Sequence, residues 1–205
     1  MSPKIGGAPR RREQLLDATF DCIAGRGYGN FSLQDVAERA SLSKGIIHYY
    51  FKDKEELLVL VLDRLTQSLD DQVNLKANTA RTPTGRICAI FDGSFDVVQE
   101  KVDFFHVFFD FCGQATRKKE MQDITSSLYA KYRRLTQRVI EDGIAQGVFR
   151  QVDAAGVAAV LVGMVMGICL QYILDGEAFS LSEIQQTCKD LILSYLRGTE
   201  AQPSQ

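Results

Sequence analysis

Apolar residues recur along this chain three and four positions apart, and no stretch alternates residue by residue as a half-buried strand would. Arg10–Ala24 carries Leu15, Leu16, Ala18, Thr19, Cys22 and Ile23 on one broad face and is stopped by Gly25 and Gly27. Ser32 opens a short second helix as N-cap, with Asp35 in capping-box position and Val36, Ala37 and Ala40 as the apolar face. The turn Ala40-Ser41-Leu42 is expected to bury its leucine, and Ser43 caps a third helix running to about Tyr50. Asp53, with Glu56 at the third position, starts a longer helix whose stripe of Leu57, Leu58, Leu60, Val61, Leu62, Leu65 and Leu69 carries on to about Lys76. The polar run Asn78–Thr82 ends it, and Pro83 takes the first position of a helix capped by Thr82. Further helical faces follow over Thr84–Lys101, Val102–Thr116, Lys118–Gln146 and Ala154–Leu174, then over a segment capped by Ser180 and Glu183. The pattern predicts an all-α protein of about nine helices, with a small bundle over 1–54 and a larger one over 55–205.

The second and third helices carry the most specific chemistry. Ile47 and Phe51 lie four residues apart and face inward, which leaves Lys44, Ile46, His48 and Tyr49 pointing outward. Such a face suits the DNA major groove, which offers base acceptors, phosphates and thymine methyls. Any pair of helices with one solvated face satisfies the same spacing.

The run F-S-L-Q-D-V-A-E-R-A followed by L-S-K-G-I-I-H-Y-Y-F-K-D-K-E-E-L-L resembles the DNA-binding end of the tetracycline-repressor (TetR/AcrR) family of bacterial regulators, over about Arg10–Leu58. That resemblance implies that Lys44, Gly45, Ile46, His48 and Tyr49 meet bases or the adjacent backbone. It places Tyr50 and Lys54 where the family grips phosphate and Gln34 where the first helix of the pair reaches a base. Ser32 and Ser43, as caps, belong to the same DNA-binding set. Three departures are visible: Ser41 stands at the usual turn glycine, Ile46 at a small or hydroxyl residue, and His48 at a tyrosine. A left-handed Ser41 should cost about 1 kcal/mol; the other two bear on the operator sequence. The opening P-K-I-G, R-R-x-x-L-L-D-A-T and G-I-I-H-Y-Y-F is loosely similar to the choline-responsive BetI branch, a likeness that ends near Leu58 and carries no ligand with it. The resemblance implies a cytoplasmic, ligand-responsive repressor with a helix-turn-helix domain over 1–54 and an effector-binding, dimerising domain over 55–205.

Charge distribution agrees with a DNA-facing end. The net charge is −2, yet residues 1–54 hold nine Lys/Arg against six Asp/Glu, and 55–205 hold fifteen against twenty. The first twelve residues contain four basic side chains, no acid and no apolar h-region. They read either as a disordered tail or as a basic arm in which Arg10, Arg11 and Arg12 lie on DNA. The five cysteines are never closer than nineteen residues, which excludes a C-x-x-C motif and reads as reduced, mostly buried thiols. Redox sensing stays open on sequence alone.

Seven of the twelve phenylalanines fall within Phe91–Phe111, a density that fits plain core or the wall of an apolar pocket. Phe91, Phe95, Phe104, Phe108, Tyr132 and Met164 are the expected walls. An uncharged lining cannot compensate a bare ionised ligand, so the effector should be apolar or amphipathic. Ala154–Leu174 is twenty-one residues without a charge. Its length fits a membrane span and Gly163-x-x-x-Gly167 a helix-dimer motif. The acidic flanks, the missing aromatic belt and Gln171 favour a helix buried on all sides in a soluble homodimer, with Gly163, Gly167, Ile184, Leu191 and Ile192 at the interface and no membrane partner. A membrane-anchored interaction protein and an apolar-ligand carrier are the rival readings.

Catalytic signatures are missing. Ser41-Leu-Ser-Lys44 matches S-x-x-K but lies in the helix turn without its partner motifs, and there is no H-E-x-x-H, phosphate-binding glycine loop or G-x-S-x-G. His106, Asp110 and Cys112 fit a helix-surface hydrogen bond better than a metal site. No enzyme activity, cofactor or metal is expected.

Overall fold

The computed structural model describes residues 8–198, and among them it contains nine α-helices and no strand. They are α1 (Ala8–Arg26), α2 (Leu33–Arg39), α3 (Lys44–Tyr50), α4 (Lys54–Thr79), α5 (Pro83–Glu100), α6 (Val102–Ala115), α7 (Lys119–Ala145), α8 (Ala154–Leu174) and α9 (Leu181–Arg197). The all-α expectation holds. The basic-arm reading of residues 1–7 lies outside the described residues, and Arg10, Arg11 and Arg12 belong to α1.

Local chemistry sets the helix starts. Ser32 accepts from the Asp35 amide while the Asp35 carboxylate accepts from the Ser32 amide, so two otherwise orphaned donors are satisfied at α2. Asp53 Oδ1 accepts from the Glu56 amide at 2.9 Å, and Glu56 reaches back to the Lys52 amide at 2.6 Å. Thr82 caps α5 ahead of Pro83, Asp153 caps α8, and Ser180 caps α9.

The chain divides into two compact units: the residues up to Gln67 with His106–Thr125, and Ser68–Phe105 with Ser126 onward. Helices α4, α6 and α7 each give residues to both. In the first unit Leu15, Leu16, Ile23, Val36, Ile47, Phe51, Leu57 and Leu58 are buried with Phe108 and Phe111. Each large side chain so buried contributes about 1.5–3 kcal/mol relative to exposure. Polar ties fix the small helices: Gln14 donates to the Ala40 carbonyl at 2.7 Å, and Arg64 bonds both Glu13 and Asp17 on α1. Leu42 is half-buried, not the buried plug expected; the buried apolar residues of α2, α3 and the α3 C-cap are Val36, Ala37, Ile47 and Phe51.

In the second unit α5 packs against α8 and α9, with Phe91, Phe95 and Val98 buried to 1 % exposure or less. Lys76 pairs with Asp96, Lys131 with Asp70, and Lys189 with Asp92. Helix α8 is 21 residues of high mean hydropathy, long and apolar enough to cross a membrane. Seven of its residues are buried, but Val160 is 59 % and Leu174 76 % exposed. The expected burial on all sides is therefore not met within one protomer; one apolar face stays open. Burial raises the Cys22, Cys88 and Cys188 thiols and pushes Cys169 up to about 12, which disfavours the reactive thiolate.

Candidate functional site

The turn between α2 and α3 sets the face that α3 presents. Ser41 has a φ of +54°, the left-handed conformation anticipated for a turn glycine. Its amide bonds the Glu38 carbonyl at 3.0 Å, and the Leu42 amide bonds the Ala37 carbonyl at 2.9 Å, closing α2. Ser43 then has the extended backbone of an N-cap, but its hydroxyl makes no capping hydrogen bond. Ile47 is fully buried and Phe51 is 2 % exposed, so these two anchor the helix.

The opposite side of α3 is open. Ser43, Lys44, Gly45 and His48 are exposed, Ile46 and Tyr50 are half-buried, and Tyr49 is 80 % exposed. Tyr49 stands edge-on to Tyr50 with ring centroids 5.0 Å apart, which gives the phenol a propped position without covering it. An ammonium, an imidazole, a phenol and a branched aliphatic side chain thus project from two turns of one helix. That set can donate to base acceptors and phosphates and meet a thymine methyl.

Other expected DNA contacts are placed differently. Ser32 spends its hydroxyl on the Asp35 cap. The Asp35 carboxyl is held well below the usual carboxylate range by the Ser32 hydroxyl and amide and by Arg26. Gln34 is exposed, with its amide on Glu38 at 2.8 Å. Lys54 donates to the Phe31 carbonyl at 2.5 Å, its ammonium is 3.8 Å from the Phe31 ring centre, and burial lowers its pKa. Arg10 and Arg11 are exposed on α1, whereas the Arg12 guanidinium lies 5.8 Å from the centre of the Phe51 ring.

Sequence reading missed a polar cluster in the same unit. The Tyr28 amide donates to Asp110 at 3.1 Å, its ring meets Phe111 edge-on at 5.4 Å, and its hydroxyl accepts from Lys118 at 3.2 Å. Lys118 also bonds Glu55. Asp110, expected to pair with His106 along α6, is engaged by the Tyr28 backbone. No cluster of three or more metal-ligating side chains occurs among the described residues.

In the second unit a small cavity of ≈ 30 Å³ lies among five helices. Its walls are Leu69 and Val73 of α4, Ile90 and Ser94 of α5, Phe105 of α6, Tyr132 and Thr136 of α7, and Leu161, Val162, Val165 and Met166 of α8. Of the six expected wall residues, Tyr132 lines it. Phe91, Phe95, Phe104 and Phe108 are packed as core, and Met164 is half-buried outside the lining. The Tyr132 hydroxyl is buried without a hydrogen-bond partner among the described residues.

The open face of α8 carries Val160, Gly163, Gly167, Leu170 and Leu174; on α9 Leu191 and Tyr195 are exposed, Ile184 is half-buried and Ile192 is buried. A groove of ≈ 460 Å³ runs between Val157 and Val160 of α8 and Leu191, Ile192 and Tyr195 of α9. Nothing lies within 4 Å of a side-chain carbon built at Gly163 or Gly167. Gly156 has another reason: a carbon there would meet the Asp153 cap at 2.5 Å.

Comparison with known proteins covers both units. Residues 15–61 match the family described as bacterial regulatory proteins, tetR family, and residues 83–197 match the BetI-type transcriptional repressor C-terminal family. The HTH-type transcriptional regulator BetI of Serratia proteamaculans is 30% identical over 198 residues, covering 96% of this chain and 98% of the relative. The corresponding protein of Cronobacter sakazakii is 29% identical over 206 residues, covering 96% of each. The likeness to BetI therefore extends far past Leu58, where the sequence motifs end. Among solved structures, a transcriptional regulator of Saccharomonospora viridis in complex with choline superposes with a TM-score of 0.84 at 23% identity, over 92% of this chain and 98% of that one. The Bacillus subtilis regulator FadR in complex with stearoyl-CoA gives 0.77 at 16% identity, over 90% and 98%. At those identities the two structures bear on the fold.

Proposed function

The chain belongs to the tetR family of bacterial regulatory proteins and has the C-terminal region of a BetI-type transcriptional repressor, and on that premise we propose that it is a homodimeric, cytoplasmic repressor released from a palindromic operator by a largely apolar small molecule. The observation that carries the reading is the two-sidedness of α3, where Ile47 and Phe51 are buried while Lys44, His48 and Tyr49 are exposed. One such helix reaches few bases. Two of them, held by a two-fold axis, read half-sites about one duplex turn or a multiple apart, which is why a near-palindrome is the fitting operator. The open apolar faces of α8 and α9 support the second copy.

The effector enters the bundle of the second unit. Solved relatives by fold hold choline in one case and stearoyl-CoA in another, two unlike chemistries, so neither molecule transfers to this chain. The uncharged lining supports an apolar or amphipathic ligand. Release is a population shift: the ligand favours an arrangement of α4 in which the paired reading helices no longer match the half-site spacing. Selection from random-sequence duplexes with the full chain tests the reading. Enrichment of a two-fold symmetric site, with affinity falling steeply as salt rises, is the expected result. Failure to enrich any duplex overturns it.

A further inference from the structure

We propose that the cavity among α4, α5, α6, α7 and α8 takes an uncharged ligand whose single hydrogen-bond acceptor receives the Tyr132 hydroxyl. The inference rests on the reading above that an effector enters this unit, and it names the chemistry of that effector.

Tyr132 is the polar group with work left to do. Its hydroxyl is buried and has no partner among the described residues, in an otherwise largely aliphatic lining. Ser94, the neighbouring hydroxyl, is already spent on the Ile90 carbonyl at 2.8 Å. A buried phenol without an acceptor is an unusual arrangement, because desolvating a donor is unfavourable unless it is bonded. Burial, with smaller contributions from Asp70 and Asp71, raises the pKa of the phenol far above neutrality. Tyr132 therefore stays protonated and acts as a donor.

The surroundings discriminate by charge. An anionic ligand would be desolvated against aliphatic walls in the negative field of Asp70 and Asp71, and hydroxyl donors cannot compensate a full charge. A cation needs a carboxylate in contact; Asp70, next to the lining Leu69, is already paired with Lys131, and Asp71 is exposed and outside the lining. A neutral molecule with an apolar body and one carbonyl or ether oxygen meets both conditions. The cavity of ≈ 30 Å³ must widen to admit it. Met166, an unbranched thioether, is the adaptable wall; Leu69 and Val73 belong to α4, which Lys131 and Asp96 hold by ion pairs at Asp70 and Lys76.

Four probes of related size separate the cases: acetophenone, ethylbenzene, benzoate and choline, titrated calorimetrically into the full chain. Acetophenone should bind the wild type and weaken about tenfold in Tyr132→Phe, the loss of one buried hydrogen bond, while ethylbenzene binds both proteins alike. Val162→Phe, which fills the cavity, should abolish binding of both. Benzoate or choline binding as tightly as acetophenone overturns the proposal. So does acetophenone affinity that is unchanged in either variant, or absent from the wild type. A wild type that selects an operator yet binds no probe sinks this site and leaves the repressor reading standing. One that binds acetophenone but selects no duplex does the reverse.

Discussion

Lys118 donates to both carboxylate oxygens of Glu55, at 2.7 and 2.6 Å, across 63 residues of sequence. The pair joins the α6–α7 turn to the first turn of α4, beside the Tyr28 hydroxyl. Both side chains are about a third or more exposed, so the attraction is screened. A double-mutant cycle of Glu55→Gln and Lys118→Met, read by urea unfolding, should give a coupling of at most about 1 kcal/mol. Glu55, then Tyr28, raises the Lys118 pKa. The stabilisation is thus complete below the unfolded lysine value and is lost only as pH rises through the folded one. Coupling that changes between pH 6 and 8 would contradict this assignment.

Asp35 carries the opposite sign. Ser32 and Arg26 depress its pKa, so its contribution is present above the unfolded carboxylate pKa, about 4, and disappears as pH falls through the folded value. Thermal unfolding of the wild type should lose stability between about pH 5 and 3 more steeply than that of Asp35→Asn. Parallel curves would show that the cap does not depend on the charge.

Ser41 holds a left-handed backbone with an L side chain. Ser41→Gly should stabilise by roughly 0.5–1 kcal/mol once the greater freedom of glycine in the unfolded chain is allowed for. Ser41→Val should destabilise by about 1–2 kcal/mol. Chemical denaturation checks both, and equal stability of the three proteins would mean that the turn tolerates any residue.

On α3, Lys44→Ala and Tyr49→Ala should each cost about 1–3 kcal/mol of specific affinity without unfolding the protein. Lys54 differs, because its ammonium is partly used by the Phe31 carbonyl. Lys54→Ala should weaken all sequences about equally and lower the salt slope by about 1, with a stability loss of about 1 kcal/mol. Footprints on the selected operator and unfolding curves distinguish the two kinds of residue. Wild-type footprints from both α3 variants would remove α3 as the reading helix.

What was legible in the sequence was local. The caps at Ser32, Asp53, Thr82 and Ser180 act within three residues, and the two faces of α3 follow from helical spacing alone. Contacts such as Tyr28 with Asp110 join residues 82 apart, and no periodicity reports them. The cavity was illegible for a related reason. Spacing says which side chains turn inward, but close packing decides which of them leave a gap. The phenylalanines fill space against one another, with Phe91 and Phe95 6.4 Å apart. The gap falls instead beside Phe105 and Tyr132, where aliphatic side chains of α4, α5 and α8 make most of the wall.

Gly163 and Gly167 bear on how two copies meet. Each glycine lowers helix propensity by about 1 kcal/mol against alanine. Within one protomer a side-chain carbon at either position would meet nothing within 4 Å, so neither packing nor ligand room inside the subunit accounts for them. Close approach of a second α8 is the reason we propose for them, on the same face as Val160, Leu170 and Leu174. Alanine or leucine at both positions should then leave the protomer folded and as helical as before. Gly163→Leu with Gly167→Leu should overpack the contact, raise the monomer fraction at micromolar concentration and abolish operator binding, since one reading helix cannot span two half-sites. Analytical ultracentrifugation without detergent measures this directly. A wild type that is monomeric at micromolar concentration, or that partitions into vesicles, would sink the dimer assignment and make the apolar length of α8 a membrane feature. A double-leucine variant that stays dimeric would move the interface away from these glycines.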